Sequence, residues 1–203
     1  WTTIRLKANG EELDLAQQAP KEFRRELDMK RGLLTRSFEV ELGGMHLSVK
    51  AQRFCSMADV ETAFLRYSVD VLSGEGPIQM EAHLNADVTN EDANWEERFW
   101  DLVHHGGDDH GGHVLVKTRK TGFHVAHAMR ASGWLDARAQ DGRAQPLEKG
   151  HAVAFDFAAE PGSRMVLDKS IALLRGLDHP KEKLQDRTET KVAEAVQKGW
   201  NAA

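Results

Sequence analysis

The chain has 203 residues, with 27 Lys plus Arg against 32 Asp plus Glu, a formal net charge of −5. A chain of this length buries a sizeable core without a disulfide or metal staple, and 40% apolar with 29% charged residues is a globular balance, not a disordered one. The acidic balance argues against nucleic-acid binding, no apolar run reaches the ~18 residues of a membrane span, and the lone Cys55 rules out an intrachain disulfide and fits a reducing, cytoplasmic setting.

The chain opens at Trp1 without Met or a signal-peptide pattern, so a domain cut from a longer protein is expected. Thr3 to Lys7 reads as a short extended piece, Asn9-Gly10 as a turn, and the stretch through Pro20 as polar and irregular. From Leu34 the chain alternates strictly. Leu34, Arg36, Phe38, Val40 and Leu42 share one face, Gly43-Gly44 interrupts, and Met45, Leu47, Val49 and Ala51 resume the pattern. Two period-2 runs joined by Gly-Gly predict a β-hairpin, because Gly accepts the positive φ of a tight turn.

Ala63, Leu65, Tyr67, Val69 and Val71 predict the next strand, the SGEGP segment at 73–77 a turn, and Ile78, Met80, Ala82 and Leu84 the strand after it. Further strands are expected at 114–119, 123–129, 152–158 and 165–174. Strands in series with turn signals between them predict a mostly β, antiparallel sandwich over 1–180. At the end, Leu184, Val192, Val196 and Trp200, with Thr188 filling the missing step, lie on one i+4 row and predict an amphipathic helix within 181–203. If no neighbour covers that stripe, it invites a homodimer.

Two stretches carry side chains suited to chemistry. Residues 104–113 read HHGGDDHGGH, and His104, His105, His110 and His113 are candidate metal ligands. The spacing matches no named metal motif, and a solvated Gly-rich loop between strands is the favoured reading. Asn90, Asp92, Trp95 and Glu96 offer acceptors for sugar hydroxyls and an aromatic face for stacking. The competing and favoured reading is a short surface helix anchored by Trp95, Phe99 and Trp100. Arg36, on an otherwise apolar strand face, is expected to form a structural ion pair. Cys55 is expected to be a buried, inert thiol.

The segments LDMKRGLLTRSF (27–38) and QRFCSMADV (52–60), with Arg66-Tyr67, Gly76-Pro77-Ile78, Asp87 to Asn90 and Asp168-Lys169, resemble the N-terminal domain of glycoside hydrolase family 65. The resemblance implies a galactose mutarotase-like super-sandwich, shortened at its start relative to the family. It also implies that 181–203 begins a helical linker to a catalytic helical barrel of the same parent chain. The catalytic Glu and the phosphate-binding residues would belong to that barrel, so no catalytic residue is assigned here. The implied parent chemistry is inverting phosphorolysis of an α-glucosidic disaccharide, with inorganic phosphate as co-substrate and no cofactor; a trehalase-like hydrolase is the alternative. A carbohydrate-binding module, or an enzyme on the sandwich itself, would be a different class of function. Mutarotases of the superfold use a His acid and a Glu base; on that analogy His83 or His127 is a candidate acid and Glu81 a candidate base. Glu81 and His83 share the polar face of their strand, where solvent exposure is expected.

Overall fold

The structure, a computed structural model, describes residues 1–89 and 98–200. It consists of two antiparallel sheets packed face to face with one helix on the outside. The strands are β1 (Ile4–Ala8), β2 (Glu11–Glu12), β3 (Lys21–Asp28), β4 (Leu33–Leu42), β5 (Met45–Cys55), β6 (Thr62–Ser73) and β7 (Gly76–Asn85). They continue with β8 (Trp100–Asp108), β9 (Gly111–Thr118), β10 (His124–Leu135), β11 (Arg138–Gln140), β12 (Arg143–Leu147), β13 (Gly150–Ala159) and β14 (Arg164–Arg175). The smaller sheet runs β12-β13-β7-β1-β2, and the larger runs β3-β4-β5-β6-β14-β10-β9-β8, with β11 paired to β10.

The expected hairpin is β4–β5. Leu42 pairs with Met45 across Gly43 (φ 58°) and Gly44 (φ 76°), the positive-φ pair that matches the twist of the flanking strands. Alternation then sorts side chains. Phe38, Val40, Leu42, Met45, Leu47 and Val49 point inward and meet Ile78, Met80 and Leu84 of β7 and Val153, Phe155 and Phe157 of β13. Each fully buried side chain of this size contributes roughly 1.5–3 kcal/mol relative to exposure, so this layer dominates stability. The mostly β, antiparallel sandwich with a terminal helix is the fold that the alternation predicts.

Several strands went unpredicted. β3 (KEFRRELD) carries six charges among its eight residues and is exposed along most of its length, so it lacks the apolar alternation that marks a half-buried strand. It exists because β4 offers a free edge. β12 is likewise short and contains Pro146, which an edge strand tolerates.

The helix α1 (Leu184–Lys198) follows a single 3₁₀ turn at Lys181–Lys183 and lies on the outer face of the large sheet. There, Ala126, Ala128 and Ala172 present a flat bed of small side chains against Leu184 and Val192. Thr188 is buried in the same row and donates its hydroxyl to the Leu184 carbonyl (2.6 Å), so it adds no unsatisfied polar group. The buried row is Leu184, Thr188, Val192 and Ala195, not the straight i+4 row; Val196 stays 45% exposed. Trp200 lies past Gly199 and packs edge-on against Phe54 (5.0 Å). The stripe expected to drive a homodimer is thus largely covered by the chain's own sheet.

Candidate functional site

The hairpin β8–β9 contains the whole of HHGGDDHGGH, which corrects the expectation of a loop: only Asp109 and His110 form the turn. Its glycines answer to close packing rather than to turning. A Cβ on Gly112 would come 2.6 Å from Cβ of His151 on β13, and one on Gly107 would lie 2.5 Å from the same imidazole. The hairpin therefore lies directly against β13, and His151 Nε2 reaches the Asp108 carbonyl (2.9 Å). Arg130 of β10 donates two hydrogen bonds to Asp108 (2.8 and 2.9 Å). Partial burial pushes the Asp108 carboxyl up, but Arg130 and the His110 and Gly111 amides outweigh it and hold it below the usual range.

The four metal-ligand candidates divide between the two faces of this hairpin. His104 and His113 stack (5.0 Å between centroids), with His104 Nδ1 3.0 Å from His113 Nε2. His113 also meets Glu189 (3.1 Å) and Gln185 (3.1 Å) of α1. Burial holds the His113 imidazole below its ordinary pKa, against the pull of Glu189. His105 instead contacts the Gly150 carbonyl (2.9 Å), and His110 is exposed at the turn. Among the described residues no group of three or more His, Cys, Asp or Glu is arranged to hold a metal ion. What the hairpin's histidines visibly do is tie it to α1 and to the small sheet.

Asn90, Asp92, Trp95 and Glu96 lie outside the described residues. Trp100, expected in a surface helix, begins β8. Cys55, expected to be buried, is exposed.

Glu81 and His83 are also corrected: they are 3% and 5% exposed, not solvated. His83 Nε2 lies 2.7 Å from Glu81 Oε2, and Lys7 Nζ donates to Glu81 Oε1 (3.1 Å). Burial alone would raise the Glu81 carboxyl, yet the contacts with His83 and Lys7 leave it below the usual range, while burial lowers the His83 imidazole. A charged carboxylate beside a neutral imidazole has the ingredients of acid–base chemistry. Here the two groups satisfy each other away from solvent, and the pattern is that of a buried structural network. His127 lies on a different sheet, on β10, where burial, with the cationic amino terminus and Lys169, pulls it down to about 4.

Two motif pairs come together across strands. Asp168 of β14 stands opposite Arg66 of β6. The Arg66 fork donates to both Asp168 oxygens (2.6 Å each), and its guanidinium lies 4.9 Å from the Trp200 ring centroid. This outer-face fork pins the chain just past α1. On the inner face, Lys169 is 1% exposed and donates to the Trp1 carbonyl (2.6 Å) and to the His83 carbonyl, with the Thr3 carbonyl 3.5 Å away. Burial brings its ammonium down to about 7.

Arg36 does not form the expected ion pair. Its guanidinium stacks over Phe38 (5.7 Å), and its Nε is buried without an acceptor. It lines a pocket of about 80 Å³ between the sheets with Arg25, Arg53, Gln52 and Tyr67. Sequence reading missed Arg25 and Arg53. Their signal is positional: it appears only once β3 is placed beside β4, which sets Arg25 opposite Arg36.

Residues 1–203 match the family described as glycosyl hydrolase family 65, N-terminal domain. The chain is 28% identical to maltose phosphorylase of Bacillus subtilis (strain 168) over 200 residues, 98% of this chain and 26% of that protein. It is 27% identical to alpha,alpha-trehalose phosphorylase of Thermoanaerobacter brockii over 190 residues, 89% of this chain and 24% of that one. A solved structure named as a kojibiose phosphorylase, from the human microbiome, superposes with a TM-score of 0.78 at 22% identity, covering 96% of this chain and 25% of its own. The chain thus spans about a quarter of the length of the curated relatives it matches.

Proposed function

This chain belongs to the glycosyl hydrolase family 65 N-terminal domain family, and from that premise we propose that it is the non-catalytic β-sandwich of a disaccharide phosphorylase. The observation that carries this reading is the alignment of nearly the whole chain with one quarter of a maltose phosphorylase. The partner is then a catalytic helical barrel of the same parent chain, and α1 is the start of the connection to it. The parent reaction is inverting phosphorolysis of an α-glucosidic disaccharide. A barrel carboxylic acid protonates the leaving oxygen, and phosphate attacks the anomeric carbon from the opposite face. Phosphate is itself a nucleophile, so no carboxylate base is needed where an inverting hydrolase needs one. No cofactor enters, and a cytoplasmic setting suits a phosphate-dependent reaction.

The buried mutual contact of Glu81 and His83 supports the non-catalytic reading, since it leaves neither group open to a sugar. The test is phosphate-dependent release of glucose 1-phosphate from maltose, trehalose and kojibiose, assayed on the parent and on this chain alone. The parent is expected to release it and the chain is not. Release by the chain alone would overturn the non-catalytic role, and phosphate-independent glucose release by the parent would make it a hydrolase. Asn90, Asp92, Trp95 and Glu96 stand as the proposed sugar contacts of this domain. A titration of the chain with maltose, trehalose and glucose tests them, and no saturable binding removes them.

A further inference from the structure

The inner face of the large sheet extends beyond the small sheet that covers it. At its β3–β4–β5 end the register sets Arg25 opposite Arg36 and Arg53 opposite Leu34. Successive side chains alternate faces, so Arg25, Arg36 and Arg53 fall on the face that carries Phe38, Leu65 and Tyr67. All three line the same pocket of about 80 Å³. No carboxylate lines it, and among the described residues none of the three guanidiniums has an ion pair or a hydrogen bond. Arg25 stacks over Phe23 (5.9 Å) as Arg36 does over Phe38. Such stacking orients a guanidinium without neutralising it. Like charges directly opposite on neighbouring strands are destabilising, and a buried Nε without an acceptor adds to that cost. An anion in the pocket would relieve both.

We propose that this pocket is an oxyanion site in which Arg25, Arg36 and Arg53 hold a phosphate group, either inorganic phosphate or the phosphate of a sugar phosphate. Three cations match a dianion better than a single carboxylate, and arginine's planar fork suits phosphate oxygens. The volume accommodates one small oxyanion in place of a few waters but no chain segment. Tyr67 also lines the wall, and Ile4, Leu34 and Leu65 give an apolar side that suits the carbon face of an ester. The donors sit on paired strands, so little ordering accompanies binding.

Calorimetric titration of the 203-residue chain at constant ionic strength, with inorganic phosphate, glucose 1-phosphate and acetate, tests the proposal. Saturable phosphate binding is expected, weakened at least about tenfold by Arg36→Met and by Arg53→Gln. Arg53 is exposed, so its variant keeps the fold and guards against misreading an Arg36→Met failure. Tighter binding of glucose 1-phosphate than of phosphate identifies a sugar phosphate as the ligand, and equal or weaker binding identifies inorganic phosphate. Absence of saturable binding, acetate binding as tight as phosphate, or phosphate binding unchanged in Arg53→Gln would each overturn the site.

Discussion

Two groups of cations point inward from the same face of the large sheet, and they are handled in opposite ways. Lys169, under the small sheet, is sealed, and main-chain carbonyls receive its ammonium. Arg25, Arg36 and Arg53, where the cover runs out, line a pocket and meet no acceptor from the described chain. A cation whose donors are satisfied internally is a structural strut, because folding must provide its acceptors before it can be buried. Cations left unsatisfied in a concave spot favour an anion from outside. The lesson is that burial and partner together, not charge alone, separate a strut from a site.

That contrast can be tested by stability measurements. The largest effect is expected from Lys169→Met, which strands the Trp1 and His83 carbonyls: a loss of about 3 kcal/mol in urea unfolding. A variant as stable as the parent chain would mean that the carbonyls find other donors and that Lys169 is no strut.

The pH profile sharpens the same point. Burial lowers Lys169 from 10.5 to about 7. Between those values the unfolded chain binds the extra proton, so this group makes stability rise as pH climbs through that window. Below pH 7 both states are protonated and its contribution is flat. The rising limb is expected to vanish in Lys169→Met.

Arg66 calibrates the middle of the range. It is a partly exposed cation with an ideal fork onto Asp168, and Arg66→Ala is expected to cost about 1 kcal/mol. The smallest effect belongs to the pocket. Without an anion, Arg53→Gln is expected to shift stability by no more than about 0.5 kcal/mol, since it leaves no partner orphaned. A loss comparable to that of Lys169→Met would show that Arg53 is a strut after all.

Period-2 alternation made β4 to β7 and β13 to β14 legible, because those strands are half-buried and each side chain's face follows from its position in the chain. It was silent on β3, whose charges disguise a strand that exists only by pairing. It misread 104–113, where glycine-rich composition suggested a loop although the glycines serve contact with His151. The helix stripe was nearly right, but it is Ala195 rather than Val196 that is buried in the last turn.

The sequence by itself determined the sandwich class, the main hairpin, the terminal helix and the family, since these rest on local periodicity and on contiguous motifs. Tertiary structure alone decided that Glu81 and His83 are buried, that Arg66 forks Asp168 102 positions away, and that three arginines from three strands line one pocket. The physical reason is that strand order and register are long-range choices. They depend on which edges are free to pair and which faces must leave water together, and no local window of the chain contains that information.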